Sequence, residues 1–353
     1  MSVVAEQVAV PQESLDEVQE RLARVRWADE LPDTDWEYGV PVGLVREQVA
    51  YWREQYDWRR WESRLNAFPQ YGTEIDGQRV HFLHVRSRRP DATPLVLTHG
   101  WPGSVFEFLD VIEPLTELGF HLVVPSLPGF TFSGPTRERG WDLDRIARAW
   151  HTLMQCLGYE RFGAAGNDWG SSVTLALGRR FPADVIGMHV TQVFAEPEPG
   201  EQFDDPAGIA DREWYHQNMS AYDVLQSQQP QSVAHALADS PVGLLGWMNI
   251  VFRGGLDLDF VLTNVMAYWL TGTVASSMRL YYEASRTGRR LRTGDVPLAV
   301  AQFADDYRSI RSLVERDHQG LTRWTEFAHG NHFAAHSAPD DLVADVTAFF
   351  GGL

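Results

Sequence analysis

Apolar positions recur every three or four residues through LDEVQERLARVRW (15–27) and GLVREQVAYWREQYDWRRWESRLNAF (43–68), so residues 11–66 are expected to be helical. From Thr73 the period drops to two. TEIDGQRVHFLHVRS (73–87) alternates on either side of Asp76-Gly77, the pattern of a hairpin closed by a tight turn. PLVLTHG (94–100) and HLVVPSLPGF (121–130) are continuous apolar runs, as expected of strands covered on both faces. Helical period returns in WDLDRIARAWHTLMQCLG (141–158), gives way to a short strand in RFGAAGND (161–168), and resumes in SSVTLALGRRF (171–181). Strands and helices in alternation predict βαβ units on a parallel sheet. The alternation stops near residue 195. From FAEPEPGEQF to about 290 the pattern is mostly helical, with clustered Trp, Tyr and Met. Strand character returns in VPLAVAQF (296–303) and RWTEFAHG (323–330), and PDDLVADVTAFF (339–350) closes the chain as a helix. An α/β core interrupted by a helical insertion predicts a lid over the carboxyl edge of the sheet.

Composition narrows what such a chain does. Its 353 residues can bury a full-sized core, and a net charge of −18 argues against binding a phosphate backbone. No run reaches the ~18 apolar residues of a membrane span. MSVVAEQVAVPQESLDE lacks the basic and apolar regions of a signal peptide. A cytoplasmic protein with neither a membrane nor a nucleic-acid partner is therefore expected. The single cysteine, Cys156, excludes an internal disulfide and reads as a small buried side chain on a helix. All 30 basic residues are arginines, which excludes Schiff-base chemistry, a Ser–Lys dyad and a lysine phosphate loop.

Candidate chemistry centres on Gly166-Asn167-Asp168-Trp169-Gly170. The spacing is that of a sharp strand-to-helix elbow presenting a nucleophile, with aspartate where serine is usual. The competing reading, an aspartate capping the following helix, loses ground because partners follow in the right order. On this fold the acid and then the histidine come after the nucleophile. His332 lies in the loop after the last strand, and Asp305 or Asp306 follows the strand before it. A carboxylate is ionised at neutral pH (ordinary pKa about 3.9) and needs no base to attack. On an acyl carbon it would form a high-energy anhydride; on a saturated carbon it forms an alkyl ester. Hydrolysing that ester calls for a base, His332, and an oxyanion hole, for which the backbone N–H groups of Trp101 and Trp169 are in position. Epoxides and alkyl halides both remain as electrophiles. An epoxide needs a proton donor such as Tyr215, Tyr222, Tyr268, Tyr281 or Tyr282; a halide needs N–H donors such as Trp214, Trp247 or Trp269. Periodicity does not choose between these sets.

Beyond these motifs, nearly the whole chain resembles the microsomal-type branch of the α/β-hydrolase epoxide hydrolases, without that branch's membrane anchor. RVRWADELPDTDWEYGVPVGLVREQVAYWREQYDWR is similar to the N-terminal meander, LTHGWPGSVFEF to the oxyanion loop and GNDWGS to the nucleophile motif. DSPVGLLGWM and LTNVMAYWLTGTVASSMRLYYEA are similar to the cap, and HGNHFAAHSAPDDL to the histidine loop. The resemblance implies an α/β-hydrolase fold, a mostly parallel sheet with an inserted helical cap. Its segments are 1–92 (meander plus edge hairpin), 93–195 (first part of the core), 196–290 (cap) and 291–353 (second part of the core). It implies a cofactor-free epoxide hydrolase that adds water to an apolar or aromatic epoxide. Asp168 would be the nucleophile and His332 the base. Asp306 would be the relay acid, and Tyr222 and Tyr281 the hydrogen-bond donors to the epoxide oxygen. Expected partners are the epoxide and water, and a homodimer is left open. Ala304 and Asp306 stand where the branch carries proline and glutamate, Asn331 where it has glycine, and His336-Ser337 where it has an acidic pair. His329, His332 and His336 together suggest a metal site, but a strand-to-helix loop would not align the three on one face. A dehalogenase on the same core and a catalytically silent binding protein are the alternative readings.

Overall fold

The computed structural model describes residues 2–198, 200–201, 205–253, 255–287 and 292–353. Among the described residues one sheet of nine strands organises the molecule, in the order β1-β2-β3-β5-β4-β6-β7-β8-β9. β1 (Val4–Glu6), β2 (Gln70–Ile75) and β3 (Gln78–Val85) pair antiparallel, and β3 joins β5 (Phe120–Pro125) antiparallel. From there β5, β4 (Thr93–Thr98), β6 (Phe162–Gly166), β7 (Val185–Val190), β8 (Leu298–Gln302) and β9 (Leu321–Glu326) run parallel. The central strands are buried on both faces, which explains their unbroken apolar runs. The β2–β3 turn has Asp76 at φ +52° and Gly77 at +73°, the two left-handed residues that a type I′ hairpin requires. The apolar run after Pro125 is loop, not strand, and β1 and β7 carry too little pattern to stand out in the sequence.

The N-terminal segment forms α1 (Gln12–Ala23), α2 (Val42–Glu54) and α3 (Trp58–Asn66). It is not helical throughout: Pro32, Gly39 and Pro41 lie between α1 and α2, where a single 3-10 turn (Asp35–Tyr38) stands. In the core, α4 (Leu109–Glu117), α5 (Leu143–Cys156) and α6 (Trp169–Arg180) follow β4, β5 and β6. Asp142 caps α5 by accepting from Arg145 N at 2.9 Å, and Gly158 at φ +88° terminates it. Cys156 is on this helix but exposed, contrary to the expected burial. The buried stripe runs through Ile146, Trp150, Leu153 and Met154, and residue 156 projects about 105° from its centre.

The insertion is the cap: α7 (Pro206–Asn218), α8 (Ala221–Gln228), α9 (Pro230–Leu237), α10 (Pro241–Met248), α11 (Leu258–Leu270) and α12 (Val274–Thr287). α12 packs on α8 and α9, and α10 on α11. The chain then returns through β8, α13 (Arg311–Asp317), β9, α14 (Ala334–Ser337) and α15 (Pro339–Phe350). The N-terminal helices hold the cap from outside. Tyr51 donates to Asp259 at 2.8 Å, the Tyr56 hydroxyl lies 3.0 Å from that of Thr263, and Asn249 donates to Gln48 at 2.6 Å. No helix among the described residues is long and apolar enough to cross a membrane.

Candidate active site

β6 ends at Gly166 and α6 begins at Trp169, so Asp168 occupies the elbow with φ at +50°. Such a backbone is strained for a residue with a Cβ and is held by its surroundings. The flanking glycines permit the turn. A Cβ on Gly166 would lie 2.5 Å from the Gly170 backbone, and one on Gly170 would lie 1.8 Å from Thr98 O. The turn is anchored by Gln192, just beyond β7, whose Oε1 accepts from Asp168 N at 2.8 Å.

The Asp168 carboxylate is 6% exposed overall and receives Trp101 N at 2.7 Å on Oδ1, with Trp169 N as a second backbone donor. Gly100 makes this approach possible, since a Cβ there would lie 2.1 Å from Oδ1. Buried His99 braces the loop. Its Nε2 accepts from Leu127 N at 3.1 Å, which leaves Nδ1–H to donate to Gly100 O at 2.9 Å. Burial lowers this imidazole to about 4, so it is neutral in that role. From the cap, Tyr268 donates to Gly103 O at 2.7 Å and Ser104 to Asn264 at 2.7 Å, tying the loop to α11. Burial raises the Asp168 carboxyl above the ordinary range, against the opposing pull of His332 and the two backbone N–H groups.

His332 and Asp306 meet beside the elbow. His332 Nδ1 lies 2.9 Å from Asp306 Oδ1, and Nε2 is buried without a hydrogen-bond partner in the same cavity as Asp168. Asp306 is 2% exposed, accepts Tyr307 N at 2.7 Å and is also bonded by Gln192 Nε2. Asp305 is exposed, with its backbone bridged to Asn331. Burial alone would lower His332, but Asp306 foremost, then Asp168 and Glu107, outweigh it and hold the imidazole near 9. The other histidines of the loop diverge: His329 pairs with Asp341 at 2.6 Å, and His336 stacks on Phe260 with Asp110 3.5 Å away. Among the described residues no group of three or more His, Cys, Asp or Glu could hold a metal.

Two cap tyrosines close the site. Tyr222 (6% exposed) stacks on Trp101 at 5.3 Å, and Tyr281 (2%) stands edge-on to Trp101 at 5.9 Å and to Trp169 at 4.7 Å. Both rings meet at 6.1 Å. Burial first, then neighbouring charge including Asp168, pushes both phenols well above 10. Tyr215 joins them, its hydroxyl 3.1 Å from that of Tyr222. Tyr282 turns outward beneath Arg286, and Tyr268 is committed to Gly103. The Trp247 indole is spent on Gln226, and Trp269 lies under Arg21. A cavity of about 640 Å³ opens above Asp168, with Phe194, Trp214, Val251, Leu256 and Phe333 in its walls.

The Asp168 carboxyl at the elbow, the His332–Asp306 pair at its side and two buried cap phenols share one site. The epoxide hydrolase N-terminus model matches residues 4–108, and the alpha/beta hydrolase fold model matches 93–243. A Stigmatella aurantiaca (strain DW4/3-1) protein, provisionally named an epoxide hydrolase, is 40% identical over 94% of this chain and 81% of its own length. Epoxide hydrolase 1 of Sus scrofa is 30% identical over 98% and 87%. The chain belongs to the epoxide hydrolases. The structure of the Aspergillus niger epoxide hydrolase superimposes with a TM-score of 0.90 at 31% identity, covering 100% of this chain and 97% of the other. Within this epoxide hydrolase, sequence reasoning missed Gln192, Asn167 and Glu107, while Tyr215 was among the five candidate donors it left open. Only Gln192 carries a usable signal, its place at the carboxyl end of a parallel strand, and β7 is too short to display that strand in the sequence.

Proposed function

We propose that this epoxide hydrolase works through a covalent ester on Asp168. In the first half-reaction Asp168 Oδ2 attacks one epoxide carbon, and the C–O bond to the ring oxygen breaks. Tyr222 and Tyr281 donate hydrogen bonds to that oxygen, whose basicity rises as it becomes an alkoxide. Because both phenols are held well above 10, they stay protonated and available as donors at neutral pH. In the second half-reaction His332 Nε2 takes a proton from water, which attacks Asp168 Cγ. Negative charge then develops on Oδ1, facing the N–H groups of Trp101 and Trp169. In the first step one phenol passes its proton to the alkoxide. In the second, the Cγ–Oδ2 bond breaks and the departing oxygen takes the imidazolium proton. The remaining proton of the attacking water leaves the new carboxyl group to restore the phenol, giving the carboxylate and a vicinal diol. Esterification removes the Asp168 charge that helps hold His332 near 9, so the imidazole becomes a better-placed base when it is needed.

The observation that carries the reading is the pair of buried cap tyrosines that converge on Trp101, whose backbone N–H binds Asp168. It favours an epoxide over a halide, which needs no proton donor. The cavity walls mix Phe194, Trp214, Leu256 and Phe333 with charged Asp211, Arg212, Arg253 and Arg308, and the aromatic part supports an apolar or aromatic epoxide as substrate. Asp168→Asn is expected to abolish turnover, and His332→Gln to accumulate an enzyme whose intact mass is raised by that of one substrate. Full diol production by Asp168→Ala would refute the mechanism.

A further inference from the structure

Beneath the carboxyl ends of β4, β6 and β7, under α4, α14 and α15, lies a second, internal cavity of about 20 Å³. It stands apart from the substrate cavity. Its walls are apolar except for Glu107, Asn167, Thr191 and His189. His189 is committed to Asp345, 2.9 Å away. Each of the other three carries a buried oxygen with no hydrogen-bond partner: Glu107 Oε2, Asn167 Oδ1 and Thr191 Oγ1. A buried orphan of this kind is costly, and three around one cavity call for a shared partner. One water needs roughly 10–15 Å³ and two to four polar groups; the cavity meets both conditions. Two acceptors and a hydroxyl suit the two hydrogens and the lone pair of a single water.

The same residues reach the reacting groups. Asn167 immediately precedes Asp168, and its Nδ2 donates to the His332 carbonyl at 3.2 Å. Glu107, 1% exposed, lies against the Asn167 side chain. It also lies beneath the oxyanion loop, where a Cβ on Gly103 would be 3.0 Å from Oε2. We propose that the cavity holds one ordered water bound by Glu107, Asn167 and Thr191, and that Glu107 is a positioning residue for hydrolysis of the ester, acting through Asn167 and His332.

This rests on the ester mechanism above. Hydrolysis makes His332 an imidazolium, which a second buried carboxylate stabilises alongside Asp306. Burial pushes Glu107 up to about 8, with Asp168 and Asp306 adding to the rise and His332 and Asn167 opposing it. The charged groups facing it are therefore His332, Asp168 and Asp306, with the His189–Asp345 pair across the cavity. Once Asp168 is esterified one of the opposing anions is gone, so Glu107 ionises more readily in the state that requires it.

The test uses single turnovers of the full chain with styrene oxide as the probe epoxide, following ester formation and decay by intact mass, together with a crystal structure of the parent enzyme. Glu107→Gln is expected to slow ester decay by about tenfold or more while ester formation changes by less than about threefold. The alkaline-rising limb of the decay rate should shift to lower pH, and Glu107→Asp should recover part of the loss. The crystal structure should show one water within hydrogen-bond distance of all three side chains, lost in Thr191→Val. Unchanged decay and pH profile in Glu107→Gln, or a dry cavity in the parent enzyme, would overturn the proposal. If Glu107→Gln does not fold, the cavity water and Thr191→Val decide it. Absence of any ester in His332→Gln would instead refute the mechanism beneath it.

Discussion

At the scale of single residues, the side chains around Asp168 set one another's protonation, and rates should follow that coupling. Tyr222→Phe and Tyr281→Phe each remove one donor to the opening epoxide. Each should slow ester formation by about 10²-fold with ester decay little changed, measured by stopped-flow mixing. For His332 the sign follows from its partners. Asp306 and the neighbouring anions raise it to about 9 against its burial, so in the free enzyme it is protonated at neutral pH and neutral only above that value. In the ester the pull of Asp168 is absent, and the decay rate should rise with pH through an apparent pKa below 9. Asp306→Asn should move that limb further toward acid and lower its plateau, because it removes both the largest charge on the imidazole and its orienting partner. The same raised pKa stabilises the fold fully below the ordinary imidazole value of about 6.5. That contribution is lost as pH rises through about 9.

At the scale of elements, helices and strands are joined by a few buried polar contacts. Asp345 of α15 is the clearest case. Its side chain, 1% exposed, receives Arg323 Nε at 2.8 Å and Thr325 Oγ1 at 2.7 Å from β9, and lies 2.9 Å from His189 Nε2 on β7. Burial alone would raise this carboxyl, but His189, Arg323 and Thr325 prevail and hold it near 2. A depressed value means stability that is present above the ordinary carboxylate pKa and is lost as pH falls through about 2. Asp345→Ala leaves Arg323 and His189 without their carboxylate and should cost about 3–5 kcal/mol, read from urea unfolding. The elements most legible in the sequence were those with a long, clean period, such as α5 and the β2–β3 hairpin. β1, with three residues, and β7, directly after a helix, were hidden because neither is long enough to display a period. Cys156 departs from its expected burial because a residue type's average burial says nothing about which side of its own helix it occupies.

For the molecule as a whole, the N-terminal segment and the cap act as one outer shell around the site. Tyr51, Tyr56 and Gln48 bond to residues of the cap or the α10–α11 connection some two hundred positions later in the chain. α11, one of these partners, also braces the oxyanion loop through Tyr268 and Asn264. Loosening the outer clamp should therefore reach the chemistry. Tyr51→Phe removes the hydrogen bond to buried Asp259 and should lower stability by about 1–2 kcal/mol. It should also increase amide hydrogen exchange across α11, leaving α5 and α6 unchanged.

The sequence by itself determined the elbow and most of the order of strands and helices, β1 and β7 excepted, and it pointed to a saturated carbon as the proposed electrophile. Those follow from local period and from the chemistry of an aspartate between two close-packing glycines, and neither depends on distant neighbours. Whether Asp305 or Asp306 meets His332, and whether Tyr281 or Tyr282 faces Asp168, was decided only in three dimensions. Adjacent residues differ by direction alone, and direction is fixed by packing. Gln192, Asn167 and Glu107 belong to the same category. They are ordinary polar residues in sequence, and only the burial of their side chains beside Asp168 and His332 gives them a part in the site.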